Sequence, residues 1–174
     1  MIGAVLAGAL MIGSTGGGSA EECNCGKTGN VDGFHAVTVL TGDADWEEKW
    51  QTIPSEEGVR FGEVTALRDG ERAWLLTFFA NPEIKEGRFE VLCDLKITRA
   101  NGTEVMQPQY PCASEVLMGK VDNVRLTSLI VEVVAEPSDP KGIWTAELGV
   151  TDAHRGVRVP LSLSFEMLAG GVMQ

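Results

Sequence analysis

The side chains able to do chemistry are few and widely spaced. Cys23 and Cys25 flank Asn24, and two thiolates that close suit a soft ion such as Cu(I) or zinc. No second Cys or His pair falls at ligand spacing. The competing reading is a disulfide arrangement drawing on the four cysteines Cys23, Cys25, Cys93 and Cys112, and connectivity does not follow from sequence. Asp43, Asp45 and Glu47 alternate as the oxygens of a calcium loop do. However, the sixth position is Glu48 rather than glycine and the twelfth is Pro54 rather than a bidentate glutamate, which excludes an EF-hand. A looser cation site on the acidic segment 43–48 remains an alternative to a solvated helix start.

His35 and His154 are the two histidines. Asp152 and His154, two apart at the mouth of a hairpin, could form half of a hydrolase constellation, or simply steady the turn. No serine lies in G-x-S-x-G and no H-E-x-x-H occurs, so nucleophile-elbow and metalloprotease chemistry have no footing. Gly26-Lys27-Thr28 imitates the end of a phosphate-binding loop, but the first glycine of that pattern would be residue 21, which is Glu. With 25 Asp+Glu in the chain, carboxylate pairs arise by chance and point to nothing. Asn101-Gly102-Thr103 fits a glycan acceptor, although the same residues suit a tight turn. Trp46, Trp50 and Tyr110 are the ligand-binding candidates if exposed, because aromatics dominate contact hot spots; burial in the core is the plainer alternative. These residues assign no catalytic group and no cofactor.

The elements that must position these residues are strands. Phe89, Val91, Cys93, Leu95 and Ile97 alternate with polar residues, as do Val157, Val159, Leu161, Leu163, Phe165 and Met167, and so do Trp144, Ala146, Leu148 and Val150. Period-two alternation marks strands with one face in a core and one in water. Eight strands are expected, near residues 34–40, 60–67, 72–80, 88–98, 103–107, 124–135, 143–151 and 157–167. The run Trp74 to Phe79 is apolar on both faces and should be central. Pro160 offers no ladder donor, so its strand should be an edge at that point. Asp69-Gly70 and Asn101-Gly102 suggest type I′ hairpins, and His154-Arg155-Gly156 closes the last one. Cys93 and Cys112 flank a predicted hairpin, which brings them within bridging reach. Asp45-Trp46-Glu47-Glu48 has capping-box spacing. With Trp46, Trp50 and Ile53 on one face before Pro54, it predicts a short helix near residues 45–52 whose indoles plug one end of a sandwich.

The 174 residues, 44% hydrophobic and 22% charged, fit one globular domain. A net charge of -11 argues against nucleic acid and anionic membranes as partners. Residues 1–20 carry no charged side chain, and an apolar run there passes into small residues ending Gly18-Ser19-Ala20. This resembles a secretory leader and is shorter than the ~20 apolar residues of a membrane-spanning helix. The expected division is a leader at 1–20, a flexible cysteine-bearing segment at 21–33, the sandwich at 34–168 and a flexible tail at 169–174.

The run from Glu136 to Thr145, with Glu147 to Asp152 after it, looks like the P-x-G-x-aromatic strand entry of immunoglobulin-like and fibronectin-like modules. Joined to Asp45-Trp46 through Trp50, Cys93 to Ile97, Pro111-Cys112 and Arg155-Gly156-Val157, the chain resembles small exported β-sandwich proteins of Gram-negative bacteria. The resemblance implies a fold and a compartment and brings no catalytic residues. The expectation is therefore an all-β, single antiparallel, immunoglobulin-like β-sandwich, periplasmic or secreted. It would act as a non-enzymatic binding or interaction module for another envelope or extracellular protein or a small ligand.

Overall fold

The computed structural model describes residues 26–52 and 60–170. The expectations on the leader, on Cys23 and Cys25 and on most of the tail lie outside these residues. Among the described residues nine strands and one helix form: β1 Thr28–Val31, β2 Phe34–Thr41, α1 Trp46–Thr52, β3 Ala66–Arg68, β4 Arg72–Ala80, β5 Arg88–Thr98, β6 Glu104–Val116, β7 Arg125–Val134, β8 Gly142–Asp152 and β9 Val157–Leu168. They make a four-stranded sheet ordered β1-β2-β4-β7 and a five-stranded sheet ordered β3-β9-β8-β5-β6. The fold is an all-β sandwich of two sheets. The alternating residues fill the space between the sheets: Phe34, Leu75 and Phe79 from one meet Phe89, Val91, Leu148, Val159 and Leu161 from the other, all at most 2% exposed.

β4 lies between β2 and β7 and is buried on both faces, from Leu75 through Phe79, as its doubly apolar sequence requires. Cys93 and Cys112 are disulfide-bonded, with Cα atoms 5.6 Å apart, joining the neighbouring strands β5 and β6 rather than the two sheets. Among the described residues β9 has no strand beside it at Pro160 on the side away from β8: β3 meets it only at 166–168, and Ser162 N donates to Gly26 O at 3.0 Å.

Four expectations need correction. The sandwich is not wholly antiparallel: β3 runs parallel to β9. The Asp69-Gly70 turn therefore carries the chain from one sheet to the other instead of closing a hairpin. Only Gly70 has a positive φ there (87°), whereas a type I′ turn needs two such residues. The Asn101-Gly102 turn does close the β5–β6 hairpin, again with positive φ at the glycine alone (81°). Arg99 O accepts from Gly102 N at 2.9 Å, and Thr103 O accepts from Arg99 N at 2.8 Å. That is the three-residue loop in which a type I turn precedes a left-handed glycine. Finally, part of the segment expected to be flexible forms β1, which pairs with β2 across Asp32-Gly33.

Candidate functional site

The two outward sheet faces differ in chemistry. On the five-stranded sheet, Asp94 and Arg158 form a two-point ion pair over Gly149, with Nη2 to Oδ1 at 2.7 Å, and Lys96 joins Glu147 at 2.5 Å. A Cβ on Gly149 would meet Arg158 Nε at 2.2 Å, so the glycine makes room for the pair. Such ionic cover is what a solvated face carries. On the four-stranded sheet the outward positions include Val37 and Val39 of β2, Trp74, Leu76 and Phe78 of β4, and Leu126, Ile130 and Val134 of β7, brought side by side by the register, with His35 at one end and one ion pair, Arg72–Glu132 at 2.9 Å, between Trp74 and Val134.

The chain covers part of this apolar face itself. Trp50 of α1 lies over Phe78 with ring centroids 5.0 Å apart, and Phe61 stacks on the same ring at 5.7 Å. Leu76 and Phe78 are buried although they point away from the main core. The helix thus lies against a sheet face and does not plug an end of the sandwich as expected. The connection holding it is fixed by Asp43, whose Oδ2 accepts from Gly62 N at 2.7 Å and pairs with Lys49 at 3.0 Å. Those two contacts, the Gly62 N–H first, hold the Asp43 carboxyl below its usual range, and the same partnership raises Lys49. Beyond the covered part, Val124, Ile130 and Val134 stay exposed and Val37 and Trp74 half-exposed, and Trp46 and Trp50 of the covering helix are themselves half-exposed.

The remaining sequence candidates fall elsewhere. Tyr110 is half-buried on β6 of the five-stranded sheet against the inter-sheet core, whereas Trp46 and Trp50 lie in α1 over the four-stranded sheet, so the three aromatics do not form one platform. Asp43 and Asp45 both pair with Lys49, at 3.0 and 3.1 Å, and Glu47 is exposed in the first turn of α1. Among the described residues no group of three or more His, Cys, Asp or Glu is placed to hold a metal ion. Asp152 is fully buried, and its carboxylate accepts from the backbone N–H groups of Glu83, His154 and Arg155 at 2.7, 3.1 and 3.1 Å. His154 Nδ1 instead lies 3.1 Å from the Glu83 carbonyl, so its ring does not bond the Asp152 carboxylate. That hydrogen bond assigns the proton to Nδ1.

Trp74, Phe61 and the β7 side chains were not legible as site residues, because their outward direction depends on strand pairing. The signal available was the even-numbered apolar positions of β4, which its double apolarity already contained.

No family model matches the chain, and no curated protein does either. Among solved structures it is similar to the alkylpurine DNA glycosylase AlkC of Pseudomonas fluorescens bound to DNA containing an abasic-site analogue, at 15% identity and TM-score 0.38, over 59% of this chain and 27% of that one. It is also similar to the CARDB domain of a Pyrococcus furiosus protein, at 7% identity and TM-score 0.41, over 83% and 92%. A third is a family 123 glycoside hydrolase of Clostridium perfringens, at 9% identity and TM-score 0.41, over 77% and 27%. The chain spans about a quarter of the length of the first and third of these proteins.

Proposed function

We propose that the protein is a non-enzymatic, exported binding or interaction module, periplasmic or secreted, whose contact surface is the outward face of the four-stranded sheet. One observation carries this reading: that face is mostly apolar and aromatic, with the single ion pair Arg72–Glu132, where the opposite outward face carries the ion pairs Asp94–Arg158 and Lys96–Glu147. An apolar face left partly open marks a contact surface, since soluble proteins otherwise keep such patches small. Half-exposed indoles suit it further, because Trp combines large contact area with a hydrogen-bonding edge. Export is supported by the Cys93–Cys112 bond, since such bonds persist in oxidising compartments. The partner is an envelope or extracellular protein or a small ligand with an apolar contact area. Among the described residues no helix is long and apolar enough to cross a membrane.

Selection of a random-peptide library on the immobilised protein tests this. The expected result is a set of binders that compete with one another and are lost when Val37 and Ile130 are replaced by Lys. The contrary result is no selectable binder together with turnover of chromogenic ester, glycoside or peptide substrates that disappears in His154→Ala.

A further inference from the structure

Among the described residues the two sheets end in four edges, β1, β3, β6 and β7. Exposed edges invite pairing with another chain, and proteins shorten, bend or interrupt them. β1 and β3 have four and three residues, and β1 is laid against β9 so closely that a Cβ on Gly29 would meet Val159 Cγ1 at 2.5 Å. β6 is long but carries Pro108 and Pro111, and its register on β5 shifts twice. β7 has neither device over its second half. From Ile130 to Val134 its pairing with β4 is regular, it holds no proline, and its one charge there, Glu132, is engaged by Arg72 at 2.9 Å.

That stretch of β7, residues 131–134, walls an open groove of about 290 Å³ between the sheets. The facing wall is Ile97, Arg99, Val105 and Trp144. Trp144 is fixed by its indole N–H donating to Pro140 O at 2.8 Å, and the Arg99 guanidinium lies over its ring at 5.2 Å. Arg99 Nε is buried and has no hydrogen-bond partner among the described residues. A buried donor without an acceptor is destabilising, and more so when it carries charge. The acids on the rim do not supply one: Glu132 is on Arg72, Asp139 accepts from Glu136 N, and Glu136 is exposed.

We propose that this edge takes up an extended peptide segment of a partner protein, adding a strand beside β7, with an aspartate or glutamate of that segment seated on Arg99. The main chain of the segment satisfies the open N–H and C=O groups of β7, its inward apolar side chains pack against Ile97 and Val105, and its carboxylate pairs with the Arg99 guanidinium, which lines the groove. This site opens between the sheets, and of the outward face discussed above it shares only Glu132 and Val134 at the β7 edge.

Fluorescence anisotropy of a labelled, capped peptide alternating valine and threonine around one aspartate tests it. The wild-type protein should bind it saturably. Replacing the peptide aspartate by asparagine, or Arg99→Gln in the protein, should weaken binding about tenfold or more, the loss of one charge-assisted hydrogen bond. N-methylation of one alternate set of peptide amides should abolish binding and of the other set leave it. Circular dichroism of Arg99→Gln separates a lost contact from a lost fold, and the peptide variants need no change to the protein. No saturable binding, equal tolerance of both N-methylated sets, or indifference to the aspartate overturns the proposal. So does a dimer whose formation excludes the peptide, which would give the edge to a second copy of the chain.

Discussion

At the scale of single residues, the polar groups at the β8–β9 turn are structural. Asp152 draws three backbone N–H groups from two segments into one buried carboxylate, with Arg155 Nε 3.6 Å away. Arg155 extends the link, donating to Asp32 O at 2.8 Å and Asn81 O at 3.1 Å. Asp152→Ala strands those donors and should cost about 3 kcal/mol or more in urea unfolding, whereas His154→Ala should cost under ~1 kcal/mol. Equal costs would mean that the ring, rather than the carboxylate, holds the turn. Asp43 gives the pH dependence. Its folded pKa lies below the unfolded value of 3.8, so its contribution is full above that value and is lost as pH falls through the lower, folded one. Asp43→Asn should thus lose more stability relative to wild type at about pH 6 than at about pH 2. The sequence placed Asp152 and His154 at a hairpin mouth, but could not show that the backbone of Glu83, far away in the chain, would take the carboxylate.

At the scale of elements, strands with unbroken alternation, β5, β8 and β9, were legible nearly to the residue, because each buries one face along its whole length. The failures share a cause: pairing that depends on a distant neighbour. β1 reads Thr-Gly-Asn-Val, which signals a loop, yet Gly29 is what lets it lie on Val159. Gly29→Val should detach β1, seen as loss of amide protection over 28–31 with the other strands unchanged. β6 runs to Val116 rather than ending near 107, because an edge strand tolerates Pro108 and Pro111 on its free side. Phe61 and Val64 had suggested a strand from 60, but Phe61 is drawn onto Phe78 and β3 begins only at Ala66. The Cys93–Cys112 bond closes a separation of 19 residues, so its reduction should lower stability by about 3 kcal/mol without unfolding the sheets, checked by denaturation with and without reductant. Arg125 locks the β6–β7 connection by donating to the carbonyls of Met118, Lys120, Val121 and Asn123 while lying 5.4 Å over the Phe89 ring. Burial pushes its guanidinium pKa down, against the pull of Glu115 and Asp122.

At the scale of the whole molecule, the sandwich has one ionic outward face and one mostly apolar face, and Trp50 of α1 and Phe61 lie over part of the latter. Period-two alternation announced the core side of each strand. The other side of the four-stranded sheet stayed hidden because Val37, Leu76 and Ile130 come from three distant segments and become one surface only through register. The most direct check on the binding account is an amide and indole chemical-shift map of the ¹⁵N-labelled protein, titrated with a peptide selected from the library. The account predicts shifts at Val37, Ile130 and Val134 and at the indoles of Trp46, Trp50 and Trp74. A footprint on the ionic face around Asp94, Lys96 and Arg158, or at the Asp152–His154 turn, would contradict it.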